Sequence, residues 1–289
     1  MRILIAGAGG MLGHDVLAAA LRAGHEPLAL TRAELDICDA TAVEHRLATE
    51  SPDAVINCAA FTDVDGAQTQ VQQARAVNAT GAGNLAAAAA AAGITLLHVS
   101  SDYVFDGVPR RDPAGAPRAY RESDQTGPLS VYGETKLEGE RLVLAASPRH
   151  LVVRSSWLFG VAGRNFAETM LRLASEREAV KVVDDQVGCP TWTGHLAPAL
   201  IGLLERDLSG VVHLAGSGAV SWNGFAKEIF RQAQLDCRVE AIASAEMARP
   251  APRPAWSVLE SERDDVIPMP EWRDGLEGYL AARAGMMKA

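Results

Sequence analysis

An excess of positive charge is what this sequence most plainly lacks. Its 27 Lys and Arg are outnumbered by 36 Asp and Glu over 289 residues, a formal charge of −9, and no long basic run is present. Nucleic acid and anionic membrane surfaces are therefore not expected partners, and a small soluble molecule is. Cysteine is scarce: Cys38, Cys58, Cys189 and Cys237 are scattered, with no C-x-x-C and no local Cys/His grouping. That argues against a disulfide framework and a metal site of the usual spacing, and leaves four small apolar side chains for the interior. Nowhere do about 18 apolar residues run uninterrupted, so no membrane span is expected. The opening "MRILIAGAGG" is broken by glycine too early for a secretory signal and reads as a strand. A cytoplasmic protein with a large core, no internal repeat and no need of disulfide staples is the expectation.

What is present is alternation. "RILIAG", a helix over about 11–23, "PLALT", a helix near 40–50, "AVINCA", an alanine-rich helix over about 78–92, "TLLHVSS", a helix opened by "VYGETKLEGE" and the strand "HLVVRSSWLFG" follow in turn. Strands separated by helices predict an α/β fold, a Rossmann-like, doubly wound parallel sheet. Between Phe105 and Ser130 the chain is rich in Pro, Gly and charge, and long loops of this kind tend to carry function. After about Gly160 the alternation weakens. "AVKVVDDQ" and "GVVHLAG" still read as strands, "NFAETMLRLASERE", "SWNGFAKEIFRQAQ" and the closing "EWRDGLEGYLAARAG" as helices, with "RPAPRPAW" as a proline-rich connection.

The turn "GAGGMLG" joins the first strand to the first helix and places glycine at 7, 10 and 13. Gly7 permits the tight turn, Gly10 lets the backbone approach a pyrophosphate, Gly13 allows close helix packing, and the helix start offers free amides. Residues 1–155 are accordingly read as an NAD(P)-binding Rossmann domain to which later segments return. Residues 156–289 are read as mainly a smaller, discontinuous substrate-binding lobe. Met11 and Leu12 within the turn join the candidate cofactor contacts. At the end of the second strand an acid would favour the free 2′-hydroxyl of NAD, and this chain offers Thr31 and Arg32 instead. A guanidinium suits a 2′-phosphate, although Arg32 also fits a solvated loop; the cofactor is read as NADPH, or NADH. Asp36 and Ile37 are placed to meet the adenine. Ala59, Ala60 and Thr62 leave room at the third strand's tip, and Val99 lies on the fourth strand.

The fourth strand ends in "HVSSDYVF", and Tyr132 and Lys136 follow one helical turn apart on a shared face. A phenol with a pKa of about 10 exchanges its proton poorly near neutrality, and an adjacent ammonium would lower that value. Tyr132 could then protonate a carbonyl oxygen as hydride reaches its carbon, with Ser101 holding the same oxygen. Glu134, Glu138 and Glu140 read as a solvated helix face.

These residues resemble the extended short-chain dehydrogenase/reductase family. The likeness extends to "DAVINCAAFTDVDGAQ", "VNATGAGNLA", "SSDYVFDG", "PLSVYGETKLEGE", "RSSWLFG", "NFAETMLRL", "VVDDQVGCPT" and "RPAWSVL", nearly the whole chain. It implies reduction by NADPH or NADH of the C4 keto group of a nucleotide sugar, dTDP-4-dehydro-L-rhamnose. By the same resemblance Tyr132 is the proton donor, Lys136 its partner and a ribose ligand, and Ser101 the third member. Asp102, Tyr103 and Trp157 would line the nucleotide sugar, and Asn165, Phe166 and Arg253 would reach the nucleotide or its diphosphate. Packing roles remain open for Tyr103 and Trp157, and a salt bridge for Arg253. Some relatives form a dimer through magnesium and glutamates. Here Asp15 stands where one such acid would fall, but "WTGHL" after "GCPT" has no glutamate. The magnesium is thereby in doubt, no metal ligand is assigned, and a monomer or homodimer is expected. Two other readings stay open: an epimerase or dehydratase retaining its NAD, and a non-catalytic subunit like the regulatory β subunit of methionine adenosyltransferase.

Overall fold

The strands that build the centre of the molecule are buried along almost their whole length, as parallel strands covered on both faces must be. The computed structural model describes residues 1–266 and 268–286. The strands are β1 (Arg2–Ala6), β2 (Glu26–Leu30), β3 (Ala54–Asn57), β4 (Thr95–Ser101), β5 (Leu151–Ser155), β6 (Ala179–Val183), β7 (Gly210–His213) and β8 (Arg238–Ile242). The main helices are α1 (Met11–Arg22), α2 (Ala40–Glu50), α3 (Ala82–Ala91), α4 (Val131–Ala146), α5 (Phe166–Glu176), α6 (Thr193–Glu205), α7 (Trp222–Gln232) and α8 (Trp272–Met286).

Six strands pair in the order β7-β5-β4-β3-β1-β2, all parallel. Side-chain alternation splits the core. Ile3 and Ile5 face Val16 of α1 and Leu200 of α6, whereas Leu4 and Ala6 face Val43 of α2, Leu85 of α3 and Val143 of α4. The chain leaves β1 for β2 on one side and then crosses to β3 on the other. That reversal opens a crevice at the carboxyl ends of β1 and β3, where ligands bind in sheets of this kind.

A separate cluster gathers α5, α7, α8 and β6 around Phe159, Phe225 and Trp272. β8 pairs parallel with β6 there. "GVVHLAG" by contrast returns to the main sheet as β7, and α6 packs back against α1. Among the described residues no helix is long and apolar enough to cross a membrane. All four cysteines are free thiols, with Cys189 and Cys237 buried.

Two local readings differ from the structure. The alanine-rich helix starts earlier than residue 78: helical turns at Val71–Arg75 pass through a widened π segment, Ala76–Gly81, into α3. "HLVVRSSWLFG" is not one strand either. β5 stops at Ser155, Trp157 takes φ +47°, and a two-residue strand, Leu158–Phe159, resumes beyond it. A bulky residue with positive φ costs about 1–3 kcal/mol and persists only where its surroundings hold it. Here the Trp157 indole stacks face to face on Trp222, with centroids 3.5 Å apart.

Candidate active site

Gly7 turns the chain out of β1 at φ +78°, and a methyl group there would lie 2.6 Å from the Ala59 nitrogen. At Gly13 it would lie 2.3 Å from the Gly7 carbonyl oxygen, so turn, helix and third-strand tip meet only because both residues are glycine. Gly10 caps α1 without a side-chain bond, leaving helix-start amides available. Leu12 is buried in the core, and Met11 faces the second cluster, its sulfur 3.9 Å from the Asn165 amide nitrogen. At the β2 tip the Thr31 amide and hydroxyl both donate to Glu34, each at 2.8 Å. Arg32 is 72% exposed with only a loose 3.9 Å pair to Asp36, so its guanidinium is available. Asp36 is engaged by the Cys38 amide, which holds its carboxyl below the usual range. Ile37 is only 4% exposed and wedged against Gly81, in the core rather than on the surface of a cleft.

The segment after β3 is fixed by a residue that the sequence reading passed over. Asn78, in the π segment, accepts from the Phe61 amide at 2.8 Å and donates to Thr135 on α4 at 3.1 Å. One buried amide thus ties Ala59, Ala60 and Thr62 to the Tyr132 helix. A widened turn is frequent at functional sites, and this one gives Asn78 its reach.

At the carboxyl end of β4, Ser101 donates to Asp102 at 2.9 Å, accepts from the Tyr103 amide at 3.2 Å, and its hydroxyl lies beside the Tyr132 phenol and lowers its pKa. Ser130 caps α4 by accepting from the Gly133 amide at 3.3 Å, which sets the first turn that carries Tyr132. Burial pushes the Tyr132 phenol up to about 12, and the neighbouring Ser101 hydroxyl pulls it back. The lowering expected from Lys136 does not appear, because Nζ is turned to β4, donating to the Val99 carbonyl at 2.7 Å. Burial brings Lys136 itself down to about 8, against the opposing pull of Glu140 and Cys58. The buried Asp102 carboxyl is pushed up to about 6, with Ser257 and Ser101 favouring its charged form.

Around this pair the substrate candidates separate by environment. The Tyr103 ring meets that of Tyr132 edge-on with centroids 5.4 Å apart. Arg253 forks onto Asp65 at 2.8 and 2.9 Å, the salt-bridge alternative, and also acts electrostatically on Tyr103. Arg249, four residues earlier in the same proline-rich stretch, acts electrostatically on Tyr103 as well and was not anticipated. Trp157 and Phe166 meet through Trp222, which the sequence reading also missed. Asn165 is the cap of α5: it accepts from the Glu168 amide at 3.0 Å and donates to the Gly160 carbonyl at 2.7 Å. Its amide is committed to shaping the loop. Ser257 links the two groups, its amide on the Val187 carbonyl at 2.8 Å and its side chain beside Asp102, where it favours the charged carboxyl, while Gly188 packs directly under Trp157.

One expectation is corrected. Glu134 is exposed and Glu138 pairs at the surface with Arg75, but Glu140 is 1% exposed and forks onto Arg154 at 2.8 and 2.9 Å. The face that turns Tyr132 and Lys136 inward turns Glu140 inward too, one turn further on. Asp15 accepts from the Thr193 hydroxyl at 2.5 Å, and no group of three or more His, Cys, Asp or Glu able to hold a metal is found among the described residues.

Compared with known proteins, the chain matches the family described as the RmlD substrate binding domain over residues 1–284. It is 46% identical to a dTDP-4-dehydrorhamnose reductase of Mycobacterium tuberculosis over 290 residues, covering 98% of this chain and 93% of that one. A solved dTDP-4-dehydrorhamnose reductase of Clostridium acetobutylicum superposes with a TM-score of 0.92 at 38% identity, over 98% of this chain and 99% of that one. The corresponding enzyme of Bacillus anthracis, solved in complex with NADP, gives 0.92 at 33% identity over 97% and 99%.

Proposed function

The chain belongs to the family of the RmlD substrate binding domain, and from that premise we propose that it reduces the C4 keto group of dTDP-4-dehydro-L-rhamnose with NADPH to give dTDP-L-rhamnose. The observation that carries this reading is the meeting of Ser101, Tyr132 and Lys136 at the carboxyl end of β4, beside the crevice at β1 and β3. The glycine cradle at Gly7 and Gly13 and the uncapped start of α1 fit a dinucleotide pyrophosphate. When bound, the reduced nicotinamide supplies the hydride. Ser101 and Tyr132 hold the keto oxygen, and Tyr132 delivers its proton as negative charge develops there. A phenol at about 12 is protonated throughout the physiological range, which suits a proton donor. Asp102 and Tyr103 flank that oxygen. Arg253 and Arg249 supply positive charge for the diphosphate, and Trp157 with Trp222 gives a flat apolar wall for a ring. The lobe built on α5, α7, α8 and β6 is the substrate lobe in this reading. The chain acts in the cytoplasm without a bound metal, as a monomer or homodimer.

The test is NADPH oxidation by purified protein. We expect it only when enzymatically generated dTDP-4-dehydro-L-rhamnose is supplied, and absence of turnover with a folded, NADPH-binding sample would end the reading. Arg32 decides between the two nicotinamide cofactors. A charge-assisted bond to a phosphate is worth about 1.5–3 kcal/mol, so Arg32→Ala should raise KM for NADPH by roughly tenfold or more. KM for NADH should stay within about twofold, because no 2′-phosphate is lost. Equal effects on both would show that Arg32 does not read the phosphate.

A further inference from the structure

Lys136 rests on two buried residues whose hydrogen bonds fix one another in order. Asn57, at the end of β3, and His98, inside β4, are 0% exposed, and Lys136 is 2% exposed. The Ala59 amide donates to Asn57 Oδ1 at 3.0 Å, which sets the orientation of that side chain. Asn57 Nδ2 then faces His98 Nδ1, also at 3.0 Å. An amide nitrogen only donates, so Nδ1 must present its lone pair. Burial and the lysine charge hold His98 neutral, well below its ordinary value. A neutral imidazole with a bare Nδ1 carries its proton on Nε2. That Nε2 lies 3.4 Å from Lys136 Nζ. An ammonium also only donates, so the charged lysine meets a donor with a donor, while the neutral amine has a lone pair to accept.

We propose that Asn57 locks His98 as its Nε2–H tautomer, and that this N–H, aimed at Lys136 Nζ, sets how readily the lysine releases its proton. Asn57 and His98 are then positioning residues acting through Lys136. The proposal rests on the reductase reading only for the proton's destination. Reduction leaves Tyr132 as a phenolate. A lysine N–H bond breaks, its proton passes by way of water because Nζ is turned to β4, the phenol O–H re-forms, and the neutral amine is reloaded from solvent. The other groups facing Nζ pull the opposite way: the Val99 carbonyl accepts from it, while Glu140 on its own helix and Cys58 after β3 favour its charge. Its lowered value, near 8, reflects burial above all, and the facing N–H acts in the same direction. The anchor of the lock is Ala59, whose nitrogen packs against Gly7, so the lysine is tied to the cofactor turn through two hydrogen bonds and the Nε2–Nζ contact.

Nitrogen-15 histidine NMR on the full chain reads the tautomer directly. We expect His98 with Nε2 protonated and Nδ1 bare; a protonated Nδ1 would overturn the proposal. Asn57→Asp presents a second acceptor instead of a donor, so the proton should move to Nδ1 and the bare Nε2 should accept from the ammonium. The Lys136 Cε resonance, assigned by its loss in Lys136→Arg, should then titrate at least about one pH unit higher, a tenfold change in proton affinity. The added charge alone also raises it, so the same substitution is made in a His98→Leu background, where the shift should be clearly smaller. An equal shift in both backgrounds, or none in either, would refute the lock. None of these readouts needs turnover, so failure of the substrate reading leaves them interpretable. If Asn57→Asp does not fold, the tautomer of the unaltered protein still decides.

Discussion

Tyr132→Phe should lower turnover with the keto sugar by roughly a hundred- to ten-thousandfold, the usual contribution of a positioned general acid, and leave cofactor affinity nearly unchanged. The phenol lies beside the Ser101 hydroxyl, and its pKa is held near 12 by burial. Losing only the hydroxyl therefore removes the proposed proton donor and one of the two groups proposed to hold the keto oxygen. The ring itself stays, and with it the edge-on contact to Tyr103. Stability should change little, so a large effect is chemical rather than structural. Ser101→Ala should be milder, because the proton source survives. Initial rates against keto sugar concentration, with NADPH binding followed by fluorescence, separate these outcomes. A Tyr132→Phe enzyme within a few-fold of the native rate would remove Tyr132 from the role assigned to it.

What the sequence made readable follows from where its signals lie. The Gly7, Gly10 and Gly13 turn, the exposed Arg32 and the Tyr132/Lys136 spacing are local patterns of a few residues, and the structure places them at the carboxyl edge of a parallel sheet. What escaped depends on distance. Asn78 looks like an ordinary helix residue until the helix widens around it and its amide reaches Phe61 and Thr135, 17 and 57 positions away. Trp157 reads as the continuation of a strand because nothing nearby in sequence signals its positive φ; its partner Trp222 lies in another helix. His98 lies inside one apolar strand and Asn57 at the end of another, where an isolated polar residue gives no hint of its partner. Glu140 is different in kind. The i, i+4 rule that paired Tyr132 with Lys136 points to it one turn on, and it was set aside only because glutamates on helices are usually solvated.

That buried glutamate carries the largest stability effect we expect. Glu140→Ala should destabilise the fold by about 3–5 kcal/mol, the cost of leaving an uncompensated charge in the interior. Arg154 is 5% exposed, and its guanidinium has Glu140 as its carboxylate partner and lies 5.1 Å over the Phe105 ring. Without Glu140 it cannot move to water. Glu140 also accepts from Ser100 at 2.5 Å, so its loss frees the residue beside Ser101 and should lower activity before the protein unfolds. The surface pair Arg172–Glu176, with side chains 58% and 48% exposed, gives the contrast: Glu176→Ala should cost at most about 1 kcal/mol. Thermal denaturation of both variants measures the difference, at roughly 2 °C in Tm or more per kcal/mol for a chain of this size. Replacing both members together, as Glu140→Met with Arg154→Leu, should recover much of the loss, because no charge then remains buried. If Glu140→Ala melted with the native protein, or the double replacement melted no higher than the single one, the pair would not be holding the catalytic helix to β5.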